Sequence, residues 1–288
     1  MDITVTALAL GAAACLGLSL VLTQLGLRRL PPLRGACISV PTTALAYLLL
    51  AVPMLDTSGF KAHSALLFAV SGCLFPAAVT LLTFEANRRV GPAITGALGN
   101  LTPLFAVLGA IALLGEVPRA GQLAGMGVIL AGVALIIGTP QRIPVQGFAW
   151  AIGLLLAAAV IRGSVQPLIK LGLAGWPNPF AASLISYIMS ASVILTTGTL
   201  REGRAILPVR GSGWPWFVPV GLLNGFSVLL MYAALARGPV AVVAPLVACY
   251  PLATLAFSRL LLGAGGLSAA AGVGVAVTVA GVALLLRA

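Results

Sequence analysis

The chain has 288 residues, of which 60% are hydrophobic and only 7% are charged, with a formal net charge of +11. Soluble domains carry about 25% charged residues, so this composition excludes a folded water-soluble protein. The basic residues lie mostly in short gaps between apolar runs, as at Arg28, Arg29 and Arg34. Lys and Arg flank membrane helices in this way, whereas a nucleic-acid surface needs basic residues clustered on one soluble face. The charge therefore indicates a chain embedded in a lipid bilayer, with no nucleic-acid partner.

Ten apolar segments follow one another along the chain, and each has the length needed to cross a bilayer core of about 30 Å. Their approximate bounds are Thr4–Leu25, Arg34–Leu55, Ser64–Phe84, Pro92–Gly115, Gln122–Gly138, Gly147–Leu173, Phe180–Gly198, Trp214–Ala236, Val240–Gly263 and Leu267–Leu286. The first segment lacks the basic region of a cleaved signal peptide, so we expect it to be retained. The gaps are too short for a nucleotide-binding domain and contain no P-loop, which excludes ATP hydrolysis by this chain.

Short motifs of the first half recur in the same order in the second half. The matched pairs are Leu25–Leu27 with Leu171–Leu173, Arg89–Pro92 with Arg237–Pro239, Pro103–Leu104 with Pro251–Leu252, and Gly132–Leu135 with Gly281–Leu284. This recurrence predicts a duplication, with one five-helix repeat in residues 1–140 and a second in residues 141–288. Because five is odd, the second repeat is inverted in the membrane, as in many secondary transporters. The sequence thus predicts an all-α membrane protein with ten transmembrane helices in two inverted repeats.

Two pairs of segments carry a resemblance to a known family. In the first pair, a stretch that begins with Leu101–Phe105 and ends with Leu113–Glu116 matches one that begins with Tyr250–Leu252 and ends with Leu262–Gly263. The second pair is the Gly/Ala-rich closing helices, Gly125–Gly138 and Gly272–Leu286. Together they resemble the drug/metabolite transporter (DMT) superfamily in its EamA-type ten-helix branch, and most of all the YddG-type exporters of aromatic amino acids. The chain departs from this pattern at Ala264, where the second half lacks an acid equivalent to Glu116.

The resemblance implies a secondary transporter of the bacterial inner membrane that exports amino acids or related metabolites by alternating access. It implies a central cavity lined by helices one, three, four, six, eight and nine, with the last helix of each half outside. We expect a monomer without a cofactor or metal, whose partners are a small-molecule substrate and the lipid bilayer. A nucleotide-sugar, lipid or drug substrate stays open as the alternative. An intramembrane enzyme is disfavoured because the chain has no GxSxG or HExxH motif and no aspartate within a span.

The five carboxylates of the chain avoid the middle of the predicted spans. They are Asp2, Asp56, Glu85, Glu116 and Glu202. A charge at the bilayer centre costs about 3 kcal/mol or more and is kept for function, as in proton-coupled exporters of organic cations. The sequence therefore favours facilitated diffusion without a carboxylate proton relay. Glu85 either pairs with Arg88 and Arg89 at the membrane interface, at spacings i+3 and i+4, or takes part in the cavity.

Three polar residues share one face of the sixth predicted helix, namely Arg162, Gln166 and Lys170. A basic face within a span needs a carboxylate partner or a wet cavity. We expect Lys170 to reach the membrane interface, as long basic side chains do near helix ends. Arg162 either does the same or contacts a substrate carboxylate.

Uncharged polar residues complete the candidate substrate site. Those selected for substrate binding are Asn100, Tyr187, Asn224, Tyr232 and Tyr250. Pro103 and Pro251 lie close to two of them and are the candidate hinges, because proline frees a backbone carbonyl that a zwitterion can bind. The alternative for each polar residue is a hydrogen bond between helices.

Two further features concern helix packing and orientation. Gly121 with Gly125, and Gly272 with Ala276 and Ala280, form small-xxx-small faces that let helices approach closely.

Basic residues are more frequent in the loops after odd-numbered helices, which by the positive-inside rule places both termini outside. Ten-helix relatives are described with both termini inside, so the orientation stays open.

Overall fold

The computed structural model describes residues 2–99, 101–137, 148–203, 214–262 and 269–287. Within them the chain folds into twelve α-helices joined by turns and one π-helical segment, Cys73–Ala78. The α-helices are α1 (Ile3–Leu27), α2 (Pro32–Met54), α3 (Ala62–Gly72), α4 (Val79–Gly99), α5 (Thr102–Leu114), α6 (Ala120–Ile137), α7 (Phe148–Gly175), α8 (Pro179–Glu202), α9 (Trp214–Arg237), α10 (Val240–Val247), α11 (Tyr250–Leu262) and α12 (Ala269–Arg287).

These helices confirm the predicted all-α fold with ten membrane spans. In the described residues, seven helical stretches are long and apolar enough to cross a membrane, and three shorter apolar helices lie within α5, α6 and α12. The third span runs through α3, the π-helical segment and α4 as far as Gly91. The rest of α4 forms the fourth span with α5, and α10 forms the ninth with α11.

Spans three, four and nine are interrupted inside the membrane. The third is kinked at Phe75, whose φ of −135° and ψ of 124° are not helical, and Phe75 precedes Pro76. The fourth breaks between α4 and α5, and the ninth between α10 and α11, at matching places in the two halves. Pro103 and Pro251 lie in the first turn of the helix after each break, where the missing N–H of proline leaves no hydrogen bond unmade. Interrupted spans at corresponding positions of two halves indicate a binding site.

Helices α6 and α12 pack chiefly on each other, and α1 packs on α9 and α11. A Cβ atom built on Gly125 would lie 2.7 Å from the backbone nitrogen of Leu285, so the predicted close approach at Gly125 is correct. The prediction for α12 is wrong: a Cβ atom built on Gly272 would have no neighbour within 4 Å among the described residues, and Ala276 and Ala280 are exposed. Two stripes of small residues run along α12, and the packing selects the one that contains Gly281.

The turns fall on two opposite sides of the membrane, because successive spans alternate in direction. We call the side where α1 begins and α12 ends, with the turns at 55–61, 115–119, 176–178 and 238–239, the terminal side. On the other side Arg34 pairs with Glu202 at 2.6 Å. Ion pairs therefore occur at the membrane surface, where water lowers the cost of the two charges.

Candidate substrate cavity

A cavity lies at the centre of the bundle, beside the interrupted spans. It encloses about 780 Å³ of space that no atom occupies, its mouth to solvent included. Spans one, three, four, six, eight and nine all contribute to its lining, as the resemblance implies, and span seven adds Tyr187. Among the described residues, α6 and α12 contribute none to this lining, which matches the prediction that the last helix of each half lies outside.

Arg162 lies in the wall of this cavity at the middle of α7, a helix of 28 residues. A rise of 1.5 Å per residue puts Arg162 roughly 20 Å from either end of α7. That distance is too long for an arginine side chain to reach the membrane surface, which argues against the snorkelling alternative. The close approach of α7 and α5 fixes this position, since a Cβ built on Gly163 would lie 2.7 Å from the carbonyl oxygen of Thr102.

The guanidinium of Arg162 is not neutralised by the protein. Of the described residues that line the cavity, Arg162 alone has a charged side chain, and its buried Nε atom has no hydrogen-bond partner among them. Its Cζ atom lies 5.4 Å from the ring centroid of Phe75, within the range of a cation–π contact. The Nε–H group is therefore a donor that an anionic group entering the cavity can bind.

Each carboxylate side chain of the sequence is engaged elsewhere. Asp2 accepts a hydrogen bond from the backbone of Thr4, Asp56 bonds Ser58, Glu85 pairs with Arg88 and Arg89, Glu116 pairs with Lys170, and Glu202 pairs with Arg34. Four of the five belong to turns or helix ends, and Glu85 lies inside α4, where its two arginine partners follow it on the same helix. A cation in the middle of a membrane protein is expensive unless it is compensated or functional. The arrangement at Arg162 is therefore suited to hold an anionic group that enters from outside.

Polar atoms of three other spans face the same cavity. The Oε1 atom of Gln166, one turn beyond Arg162 on α7, and the hydroxyls of Thr23 and Thr102 are buried without a hydrogen-bond partner in the described part of the chain. Asn224 of α9 also lines the cavity. Buried polar groups are nearly always satisfied in proteins, so this cluster is a candidate site for a polar ligand.

Two tyrosines complete the lining. Tyr187 of α8 is 1% exposed and packs with its ring centroid 5.5 Å from that of Tyr47. Tyr250 is the first residue of α11, and its hydroxyl lies so close to Gly99 that a side chain at position 99 would collide with it. Tyr250 therefore joins the interrupted fourth and ninth spans at the cavity.

The structure does not bring all predicted site residues into the cavity. Tyr232 is fully buried in the apolar core, because the step of 100° from the cavity-lining Met231 turns it away. Glu85 is outside the lining and pairs with Arg89 at 2.7 Å and with Arg88 at 3.0 Å, as in the interfacial alternative. Asn100 lies outside the described residues.

Sequence reasoning missed several lining residues of span three. Phe75, Thr80, Thr83 and Phe84 all border the cavity. The available signal was Pro76, since a proline inside an apolar span marks a kink or break. The threonines had no such signal, because a single hydroxyl in a span is equally able to bond its own helix backbone.

Comparison with known proteins supports a transporter fold. A family model described as the EamA-like transporter family matches residues 4–138 and 149–287, once in each half of the chain. A search of curated proteins found no match. A solved structure titled "Crystal structure of protein" is 19% identical with a TM-score of 0.79, and the match covers 99% of this chain and 96% of that one. At this identity the similarity concerns the fold alone.

Proposed function

The chain belongs to the EamA-like transporter family, and on that premise we propose that it exports neutral amino acids, aromatic ones included, across the bacterial inner membrane. Family members are multi-pass membrane transporters of the drug/metabolite type and not enzymes. The finer proposal depends on one observation: a cavity in the middle of the membrane contains a guanidinium, Arg162, for which the chain supplies no carboxylate.

The carboxylate of an amino acid is the natural partner of this guanidinium. Arginine binds carboxylates through two parallel N–H···O bonds, which gives orientation as well as affinity. The ammonium group needs acceptors, and the unpartnered oxygens of Gln166 and Thr102 are such groups. Phe75 and Phe84 offer apolar surface to the rest of the solute. A neutral amino acid with an apolar side chain supplies all three kinds of group.

The charge of the lining argues against the other metabolite classes. A nucleotide sugar carries fixed negative charges on its phosphates and needs several cations, whereas the described lining contains one. An organic cation would be repelled by Arg162 and finds no carboxylate among the described lining residues.

We further propose facilitated diffusion by alternating access. Coupling to protons requires a group that binds and releases a proton within the path, and the five carboxylates of the chain are engaged by other groups outside the cavity lining. Binding of the solute to either of two exchanging conformations is sufficient to move it down its gradient.

Uptake into proteoliposomes tests this proposal. The purified protein is reconstituted, and labelled phenylalanine or methionine is supplied without an ion gradient. We expect saturable uptake that stops when the internal and external concentrations are equal, and no dependence on a proton gradient. Liposomes without protein are the control.

Two results would contradict the proposal in different ways. Uptake that appears only with a proton gradient would contradict facilitated diffusion and make Glu85 the candidate proton-binding group. No uptake of either amino acid under any gradient would contradict the amino acid assignment and leave the family membership unchanged.

A further inference from the structure

The polar face of α7 continues from the cavity to the terminal side of the membrane. Arg162 and Gln166 line the cavity, and Lys170 follows one turn later on the same face. The Nζ atom of Lys170 lies 3.3 Å from the Oε1 atom of Glu116 and also donates a hydrogen bond to the carbonyl oxygen of Gly238. The face that binds the solute thus ends at an ion pair.

Glu116 is held at this point by the turn that ends α5. Gly115 adopts a left-handed conformation with φ of 63°, which favours glycine, and the N–H of Glu116 bonds the carbonyl of Ala110 at 3.2 Å. The Glu116 carboxylate then accepts hydrogen bonds from the backbone N–H groups of Val240 at 3.1 Å and Ala241 at 3.3 Å. These N–H groups begin α10, so Glu116 caps that helix.

An outer groove lies on the other side of this cap. Its described lining includes Val5, Glu116, Arg237, Ala241 and Val242, and it contains about 1180 Å³ of empty space, part of it open solvent.

The wall between the groove and the cavity is thin along α10. Ala241 faces the groove and Ala244 faces the cavity, three residues apart, which is about 4.5 Å along a helix axis. All eight residues of α10 are buried, so this short helix fills the space between groove and cavity.

We propose that the outer groove is the closed mouth of the transport path on the terminal side, and that Glu116, Lys170 and the start of α10 form its gate. Opening this mouth requires α10 to move away from α7, and the ion pair and the two capping hydrogen bonds oppose that movement. The inference depends on the proposed function only in taking the central cavity as the path.

The carboxylate of this gate has no sequence counterpart in the second half. The sequence position of the second half that corresponds to Glu116 is Ala264, which has no carboxylate to cap the matching segment of the first half. We therefore infer that the charged gate favours the conformation closed on the terminal side, and that removing it shifts the population towards the conformation open there.

Cysteine accessibility tests the gate without any substrate. In a chain whose four native cysteines are replaced, Ala244→Cys places a thiol in the cavity behind α10. Membrane vesicles of both orientations are treated with a membrane-impermeant maleimide, and a separate Thr57→Cys variant identifies the orientation that exposes the terminal side. We expect Glu116→Ala to raise the labelling rate from the terminal side at least tenfold and not from the opposite side.

Glu202→Ala is the matched control, because it breaks an ion pair on the opposite side and should leave the labelling rate at position 244 unchanged. If Glu116→Ala does not elute as a monodisperse protein, Glu116→Gln replaces it in the test. We expect a smaller but clear increase in its labelling rate from the terminal side. An unchanged rate in the folded Glu116 variant, or an equal rise with Glu202→Ala, would overturn the gate. Failure of amino acid uptake would leave this result unaffected, so the two proposals fail separately.

Discussion

Replacement of Arg162 with methionine is expected to lower phenylalanine uptake into proteoliposomes by roughly 10- to 100-fold. A hydrogen bond to a charged group contributes about 1.5–3 kcal/mol, which is the free energy that the carboxylate of the solute loses. Arg162→Lys should give an intermediate rate, because it keeps the charge and loses the two-pronged geometry. Initial rates of labelled uptake, with equal amounts of reconstituted protein, measure the effect.

The same variant should not lose stability. Methionine removes a mid-membrane cation that lacks a carboxylate partner, so the thermal unfolding temperature should stay the same or rise. Arg201→Met, at the exposed end of α8, is the control and should leave uptake unchanged. An Arg162→Met protein that unfolds earlier and transports normally would show that Arg162 serves the fold and not the solute.

Gly17→Ala is expected to destabilise the protein by roughly 1–3 kcal/mol, the usual effect of overpacking. A Cβ atom at position 17 would lie 2.7 Å from the backbone nitrogen of Thr254 and 2.8 Å from the carbonyl oxygen of Tyr250. These are backbone atoms of α11, so α1 and α11 would have to separate. Because Tyr250 lines the cavity, uptake should fall together with the thermal unfolding temperature.

Gly153→Ala is the matched control for this prediction. Gly153 lies on α7, and a Cβ atom built on it would have no neighbour within 4 Å in the described part of the chain. Alanine is favoured over glycine inside a helix by about 0.5–1 kcal/mol. The unfolding temperature should therefore stay the same or rise. If Gly17→Ala and Gly153→Ala changed stability equally, the close contact of α1 with α11 would not be what position 17 requires.

Hydropathy was sufficient to predict the ten spans, because a helix in lipid must satisfy its backbone hydrogen bonds internally and be apolar along its length. Five polar residues that stand out in apolar spans also proved to line one cavity. They are Arg162, Gln166, Tyr187, Asn224 and Tyr250. A polar side chain avoids lipid, so its presence in a span already places it towards the bundle interior.

The sequence did not determine which interior surface a residue faces. Tyr232 and Met231 are neighbours in α9, yet only Met231 lines the cavity, and hydropathy treats both as interior. The packing face of α12 was equally undetermined, because two stripes of small residues have helical spacing. The cap that Glu116 forms on α10 joins parts of the chain more than 120 residues apart, which no local pattern encodes.

Competition between an amino acid and its amide tests the central claim most directly. Uptake of labelled phenylalanine is measured with unlabelled phenylalanine or phenylalaninamide as the competitor; methionine and methioninamide serve if methionine is the better substrate. The two competitors share the side chain and the amine and differ only at the carboxylate. We predict that the amide competes at least tenfold more weakly than the amino acid. An amide that competes as well as the amino acid would show that Arg162 does not bind the carboxylate, and would contradict the proposed mode of substrate binding.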